Sequence, residues 1–110
     1  MENVSYEEFS KMDLRIGKIL EVEEHPKADK LLVLKVSFGD EERTIVAGLK
    51  KHYSLDYLRG KKAVFITNLE PIVLRGIESQ GMLLAAVSED DSEVIFLTPE
   101  KDIGEGSKIR

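Results

Sequence analysis

The sequence predicts an all-β domain, because most of its apolar residues fall into six short runs separated by turn-forming pairs such as His-Pro, Gly-Asp and Arg-Gly. The runs cover residues 14–24, 31–38, 43–48, 62–69, 82–88 and 93–98. Three strands, one short helix and two more strands form the OB-fold, a five-stranded barrel, and we expect that architecture. A sandwich or an SH3-like barrel has similar runs, but the predicted helix between the third and fourth strands favours the OB-fold.

Both predicted helices have recognisable ends. Ser5-Tyr-Glu-Glu8 is a capping box, in which the Ser5 hydroxyl accepts from the Glu8 amide and the Glu8 carboxylate accepts from the Ser5 amide. This box predicts a short N-terminal helix that runs to about Met12. Residues 54–59, followed by Gly60, predict the short helix between strands three and four, with a glycine stop.

Two strand runs carry further information about the barrel. In the second run, Leu32, Leu34, Val36 and Phe38 alternate with Lys35 and Ser37. This alternation is typical of a half-buried antiparallel strand. Gly17 interrupts the first run, where a long strand bending between two sides of a barrel needs a flexible point or a bulge.

Length and composition limit the organisation of the chain. Its 110 residues predict a single domain over 1–110, with a C-terminal extension from residue 89. Without cysteine there can be no disulfide or thiolate metal site. The acidic N-terminus does not resemble a signal peptide, and no apolar stretch reaches the ~20 residues of a bilayer span, so we expect a cytoplasmic protein without membrane contact. A charged fraction of 34% with few amides favours a thermophilic source.

The charges are unevenly distributed along the chain. The net charge of −5 argues against nucleic-acid binding. However, residues 43–62 carry six basic side chains and one acidic, whereas residues 89–100 carry five acidic and none basic. A polarised surface is therefore possible, and an ordinary solvated face is the alternative.

No catalytic group, metal site or cofactor is expected. His25 begins the turn His25-Pro-Lys-Ala-Asp29, which lacks a third metal ligand, and we expect a structural turn with Asp29 accepting loop amides. A Gly-x-Ser-x-Gly nucleophile elbow around Ser79 would need glycine where Ile77 stands. The Gly60-Lys-Lys62 step lacks the serine or threonine of a phosphate-binding loop.

Binding is the remaining class of function, and the aromatic residues indicate which kind. Phe38, Phe65 and Phe96 lie in apolar strand runs, where we expect burial. Tyr53 and Tyr57 could stack on bases, although Tyr57 on a short helix favours the core. Few stacking rings with scattered lysine and arginine favour recognition of the backbone and shape of a folded RNA.

Several motifs resemble the tRNA-binding domain family. The segment 68–86 combines an Asn-Leu-x-Pro step, an Arg-Gly turn and a Ser-x-Gly-Met step. Asp13-Leu-Arg-Ile-Gly17, His25-Pro-Lys-Ala-Asp-Lys-Leu31 and Ala47-Gly-Leu49 occur in the family's order and spacing. The resemblance, which covers nearly the whole chain, implies a non-catalytic OB-fold module. Such modules are appended to methionyl-tRNA synthetases or stand alone as dimeric tRNA-binding proteins.

The resemblance also implies an RNA-binding surface. Basic residues would neutralise phosphates, Asn68 and Ser79 would hydrogen-bond phosphate or ribose, and Met82 would lie in the same turn. For Asn68 and Ser79 the alternative is capping of their own loops, and for Met82 it is core packing, which we favour. The implied residues are Lys35, Arg43, Lys50, Asn68, Arg75, Ser79 and Met82. Where family members often carry lysines, this chain has Glu70 and Val73, which lowers the expected affinity.

The expected partners are tRNA, a second copy of the chain and the catalytic core of methionyl-tRNA synthetase. The apolar run Val94-Ile-Phe-Leu97 would leave an exposed patch after the fifth strand, so we expect it to form a homodimer interface. Packing of this run onto its own barrel is the alternative. A different class of function is that of a dimeric chaperone-like protein of the same fold, which would bind peptides in the groove.

Overall fold

Ten strands and two short helices make up the structure, a computed structural model that describes residues 1–110. The helices are α1 (Tyr6–Ser10) and α2 (Leu55–Leu58). The strands are β1 (Leu14–Glu24), β2 (Leu32–Ser37), β3 (Glu42–Ala47), β4 (Lys62–Ile66), β5 (Ile72–Leu74), β6 (Ile77–Ser79), β7 (Met82–Leu83), β8 (Ala85–Val87), β9 (Val94–Phe96) and β10 (Lys108–Ile109). Neither helix is long and apolar enough to cross a membrane.

The main sheet is antiparallel and has the order β3-β2-β1-β4-β7, with β10 paired to the start of β1. The first half of β1 pairs with β4 and the second half with β2, so this strand belongs to both sides of the barrel. The predicted bulge is present but lies between Ile19 and Glu21. Gly17 is needed for space, because a Cβ there would lie 2.5 Å from Val36 Cγ1 and 2.8 Å from the Phe38 ring.

Polar groups close the barrel between β3 and the segment that follows β6. The Gln80 amide donates to the Thr44 carbonyl at 2.8 Å, and the Thr44 amide donates to Gln80 Oε1 at 3.0 Å. The Val46 amide donates to the buried Ser79 hydroxyl at 2.9 Å. The prediction of an OB-type barrel with a short N-terminal helix and a helix between strands three and four is confirmed.

The core fills the barrel with the predicted face of β2. Leu32, Leu34 and Val36 are fully buried, while Lys35 is exposed. Phe38 and Phe65 meet edge to face, with ring centroids 5.6 Å apart. Each such side chain contributes about 1.5–3 kcal/mol of burial free energy. Ser37, predicted to point outward, is instead buried, and its hydroxyl accepts from the Gly39 amide.

Both helices begin at their predicted caps. Ser54 accepts from the Tyr57 amide at 3.2 Å. Ser5 accepts from the Glu8 amide at 3.1 Å, but its hydroxyl, and not its amide, meets the Glu8 carboxylate. Helix α1 ends at Ser10, two residues before the predicted end.

The C-terminal segment is integrated into the barrel. Phe96 is buried in the core cluster, and the ring of Tyr53 lies 5.0 Å from it. The Gly106 amide donates to the Ile16 carbonyl, and β10 pairs with β1. Ile95 and Leu97, in contrast, are exposed. Packing onto the barrel therefore holds for Phe96, while the homodimer interface at Ile95 and Leu97 stays a prediction.

Candidate nucleic-acid interface

Two loops flank one end of the barrel: residues 25–31 between β1 and β2, and residues 67–81 between β4 and β7. OB-folds commonly hold oligonucleotides between these two loops. His25 links them. Its Nδ1 accepts from the Lys27 amide at 3.0 Å, and its Nε2 lies 2.9 Å from the Leu74 carbonyl. Because a carbonyl only accepts, Nε2 donates, so the buried ring is neutral with its proton on Nε2.

The β5–β6 hairpin carries Arg75 at its tip. Arg75 and Gly76 form a two-residue turn with φ values of 53° and 91°, the signs that a type I′ turn requires. The Arg75 guanidinium reaches the Lys27 carbonyl with Nε and Nη2 at 3.4 and 3.3 Å. Arg75 is exposed and has no carboxylate partner. Its charge is therefore available to an external anion.

The other three basic residues implied by the resemblance are paired with glutamates. Lys35 lies 3.7 Å from Glu42, and Lys50 lies 3.6 Å from Glu24. Lys35 is half exposed and its ion pair is long, so water competes with the glutamate. An RNA phosphate would have to displace each carboxylate.

Arg43 is engaged more completely. Its Nε and Nη2 both lie 2.7 Å from Glu41 Oε1. Its Nη1 donates to the carbonyls of Thr67 and Gln80, at 2.6 and 3.2 Å. Its guanidinium carbon also lies 5.9 Å from the centre of the Phe38 ring. Arg43 thus joins β3 to both ends of the loop 67–81, and most of its donors are used within the barrel.

Asn68 ties the N-terminal segment to this loop. Its Nδ2 donates to the Lys11 carbonyl at 2.6 Å, and its Oδ1 accepts from the Asp13 amide at 2.8 Å. The hydrogen bond from Arg15 lowers the pKa of the neighbouring Asp13 carboxyl, while Asp13 raises the pKa of Arg15. The Asn68 side chain therefore caps the segment between α1 and β1, and not its own loop as the alternative to RNA contact had it.

Ser79 is buried, whereas Met82 is exposed. The Ser79 hydroxyl donates to the Gly81 carbonyl at 2.9 Å while accepting from Val46. Met82 is 46% exposed, so the expectation that it packs in the core is wrong. Gly81 cannot carry a side chain, because a Cβ would lie 2.9 Å from the Ile66 carbonyl oxygen. This close contact brings the Ser-x-Gly-Met step against β4.

Met82 lines an apolar groove of about 550 Å³ beneath the hairpin. Glu70, Ser79 and Gly81 complete its walls. Its apolar residues are Val46, Leu69, Ile72, Leu74 and Met82.

A family model described as "Putative tRNA binding domain" matches residues 14–108. The chain belongs to the tRNA-binding domain family. It is a binding domain and not a catalytic one. Methionine–tRNA ligase of Pyrococcus furiosus is 57% identical over 110 residues, and that of Nanoarchaeum equitans 53% over 107 residues. The alignments cover 100% and 97% of this chain but only 15% and 14% of those relatives, respectively.

Two solved structures resemble this tRNA-binding domain over nearly its whole length. A MetRS-related protein from Pyrococcus horikoshii has a TM-score of 0.94 and 36% identity, with 100% of both chains covered. The chaperone CsaA from Bacillus anthracis has a TM-score of 0.91 and 29% identity, covering 99% of this chain and 100% of that one.

Two exposed lysines beside the linked loops are not among the residues that the resemblance implies. Lys27 and Lys30 are exposed, have no ion pair and lie in the same loop as His25. Their presence in the motif His25-Pro-Lys-Ala-Asp-Lys was the available signal. The Asp29 carboxylate, expected to cap this loop, makes no hydrogen bond, because His25 takes that role.

Proposed function

We propose that the chain binds tRNA through the sugar–phosphate backbone, with the linked loops 25–31 and 67–81 as the contact surface. The single observation that carries this proposal is Arg75. The hairpin turn holds it at the tip of one loop and against the carbonyl of Lys27 in the other, without a carboxylate partner. Lys27 and Lys30 add two exposed cations on the opposing loop.

The side chains around these loops favour backbone contacts over base reading. Arginine and lysine bind phosphate oxygens, and such contacts position a protein without identifying the bases. No aromatic side chain lines the groove between the loops. Glu70 lies at the rim of this groove, so affinity should be modest.

Binding of tRNA is tested by Arg75→Gln, with Arg110→Gln as a control of equal charge. Loss of one phosphate contact should weaken binding about threefold to tenfold, and equally for different tRNAs, because no base is read. The control should change affinity less than twofold. If both variants change tRNA affinity equally and only slightly, the hairpin is not part of the RNA-binding surface.

The proposal includes a homodimer. Ile95 of β9 and Leu97, which directly follows this strand, are exposed, and Ala86 of β8 is the exposed cross-strand partner of Ile95. A second copy is the occupant that covers this apolar face. Sedimentation at micromolar concentration should give twice the 12.4 kDa of one chain. Ile95→Asp should give monomers, while Ile103→Asp is the matched control at another exposed isoleucine.

The dimer interface is tested with point variants and not by removal of the C-terminal extension. Removal of residues 89–110 would delete Phe96 from the core and β10 from β1, so insoluble material would carry no information about the interface.

Joined to or associated with a methionyl-tRNA synthetase core, the domain would serve aminoacylation by capturing tRNA. Support comes from methionine–tRNA ligase relatives, in which this chain corresponds to about 15% of the length. Fused to a methionyl-tRNA synthetase core, the domain should lower the apparent KM for tRNA with little change in kcat. Arg75→Gln in the fusion should raise that KM.

Peptide binding is the second candidate function. The apolar groove, with Leu69, Ile72 and Met82 about half exposed, and the similarity to the chaperone CsaA favour it. Ile72→Asn should abolish capture of an apolar peptide while leaving tRNA affinity nearly unchanged, because it adds no charge. Competition between peptide and tRNA, with no effect of Arg75→Gln, would favour the peptide function.

A further inference from the structure

A polar cleft lies where β1 and the start of β4 meet the segment 98–102. Its volume is about 450 Å³, and none of its nine lining residues is a hydrophobic one. Four lysines and two carboxylates line it, although the whole chain has a net charge of −5. The lysines are Lys18, Lys61, Lys62 and Lys101, and the carboxylates are Glu100 and Asp102.

Strand register brings two of these lysines together. Lys18 of β1 and Lys62 of β4 are cross-strand partners, and like charges in this position destabilise a sheet. Asp102 forms an ion pair with only one of them, Lys62, and its charge acts on Lys18 from a longer distance. The Lys62 ammonium donates to Asp102 Oδ1 at 2.7 Å and to the Ile103 carbonyl at 2.6 Å. Hydrogen bonding from Lys62 lowers the pKa of Asp102, so this carboxylate stays charged.

The other three ammonium groups have no carboxylate partner. Lys18 and Lys101 make no side-chain hydrogen bond or ion pair, and the Lys61 ammonium lies 4.5 Å from the centre of the Tyr57 ring. Glu100 pairs with none of them. Unneutralised cations that share one cleft repel each other, and an external anion removes that repulsion. The cleft therefore favours an anionic ligand.

The kind of anion follows from what surrounds the lysines. The amides of Gly60 and Lys61 donate within the barrel, to Ile19 and Leu58, so these two amides are not free to bind an anion. Lysines alone contact phosphates as movable point charges, which suits a polyanion. Tyr57, beside Lys61, is 51% exposed, but its ring is already stacked on that of Tyr53, so the lysines and not this ring would contact the ligand.

We propose that this lysine cleft is a second contact for the phosphate backbone of the tRNA held by the linked loops, so the inference rests on the proposed function. Lys18 lies in β1, seven residues before His25, which directly follows this strand, so the two surfaces lie roughly 20 Å apart along β1. A mononucleotide cannot span that distance, whereas a folded RNA can.

The test removes the three unpaired charges of the cleft in the full chain. Binding of tRNA is titrated from about 50 to 300 mM salt, where each phosphate contact contributes about 0.7–0.9 to the log–log slope. The variant K18Q/K61Q/K101Q should bind at least tenfold more weakly at about 100 mM salt, with a slope shallower by about 2.

The matched control removes three cations near the chain ends, in K11Q/K108Q/R110Q. It should leave the slope within about one unit of the unmodified chain. If the cleft variant has the same tRNA affinity and slope as this control, the inference is overturned. The proposed function still holds in that case, provided that tRNA binding depends on Arg75. An unmodified chain that binds no tRNA at any salt concentration overturns the proposed function, and the inference with it.

Two further measurements complete the test. The first shows whether weaker binding reflects a lost contact or an unfolded variant, and the second shows whether the ligand of the cleft is a polyanion or a small anion. Asp102→Asn removes a carboxylate and releases Lys62, so tRNA should bind about threefold to tenfold more tightly, a gain that unfolding cannot produce. Weaker or unchanged binding contradicts the proposal. Inorganic phosphate at about 10 mM should compete with tRNA no better than chloride does at equal ionic strength. If phosphate competes selectively with tRNA, and K18Q/K61Q/K101Q abolishes this competition, the cleft binds a small anion instead.

Discussion

At the scale of single residues, the cations around the linked loops are of two kinds. Some are hydrogen-bonded within the barrel, and others remain available to bind phosphate. Arg43 directs three hydrogen bonds to Glu41, Thr67 and Gln80, forms an ion pair with Glu41 and covers the edge of the core beside Phe38. Arg75 has only long hydrogen bonds to one carbonyl. A guanidinium whose donors are already used must break those bonds to bind phosphate, so the two arginines should respond differently to substitution.

The first prediction concerns Arg43. Arg43→Ala leaves the carbonyls of Thr67 and Gln80 without their donor, so we expect a loss of about 1–3 kcal/mol in the free energy of unfolding. The tRNA affinity of the folded variant should fall less than threefold. Urea denaturation and tRNA titration measure the two effects. Lys35→Ala, which removes an exposed ion pair, is the control and should cost less than about 1 kcal/mol. A stable Arg43→Ala variant with strongly reduced affinity would instead make Arg43 an RNA contact.

The second prediction concerns pH. The hydrogen bond from Arg15 lowers the pKa of Asp13 in the folded chain, so folding favours the ionised carboxylate. This stabilisation is complete above the ordinary pKa of about 4 and is lost as the pH falls through the lowered native value. Asp13→Asn should therefore be less stable than the unmodified chain at pH 7, and the difference should shrink toward about pH 2. Urea midpoints at both pH values measure it, and a difference that grows in acid would contradict the assignment.

At the scale of elements, the β5–β6 hairpin determines where Arg75 stands. Two consecutive residues with positive φ join three-residue strands, and only one of those two residues is glycine. Left-handed backbone at a non-glycine residue costs of order 1 kcal/mol or more, so the surrounding bonds must hold it. His25, donating to the Leu74 carbonyl next to the turn, is one such restraint.

The third prediction tests that turn. Gly76→Val meets no atom within 4 Å of its Cβ but must adopt a φ near 91°, so it should lose about 1–2 kcal/mol and displace Arg75 from its position. Affinity for tRNA should fall at least threefold. Gly48→Val is the matched control, because it too meets no atom within 4 Å and needs no positive φ. If both variants bind tRNA like the unmodified chain, the turn does not position the contact.

Element patterns in the sequence predict the barrel well because its long strands bury one face of alternating residues, as Leu32, Leu34 and Val36 illustrate. The strands of the β5–β6 hairpin cannot be predicted in this way, because three residues per strand are too few for an alternation to be recognised. The burial of Met82 is mispredicted for a related reason. Its strand has two residues, and the groove beneath the hairpin leaves its side chain in solvent.

Site residues are harder to predict than strands because their partners are distant in sequence. Lysine and arginine types indicate that phosphate could bind, yet whether a carboxylate already neutralises them depends on tertiary contacts. Lys50 meets Glu24, 26 positions away in the chain, and Lys62 meets Asp102, 40 positions away. The basic window 43–62 therefore loses much of its charge on folding, a result that no linear window can reveal.

At the scale of the whole molecule, an acidic chain can attract RNA only if its unpaired cations are grouped. Lys27, Lys30 and Arg75 surround the linked loops, and Lys18, Lys61 and Lys101 share the cleft. Because the Debye length is about 8 Å at physiological salt, acidic residues farther than this from both groups are largely screened from them. Local charge should therefore control affinity more than the net charge of −5.

The last prediction separates local from net charge. Glu70→Lys introduces a cation at the rim of the groove, close to the hairpin, and Glu89→Lys makes the same change of two charge units outside both basic groups. Under local control, Glu70→Lys should tighten tRNA binding about threefold to tenfold and steepen the salt dependence by about 0.7–0.9, whereas Glu89→Lys should do neither. The measurement is tRNA affinity against salt concentration for both variants. If the two substitutions strengthen binding equally, long-range attraction dominates, and neither the linked loops nor the cleft forms a defined contact.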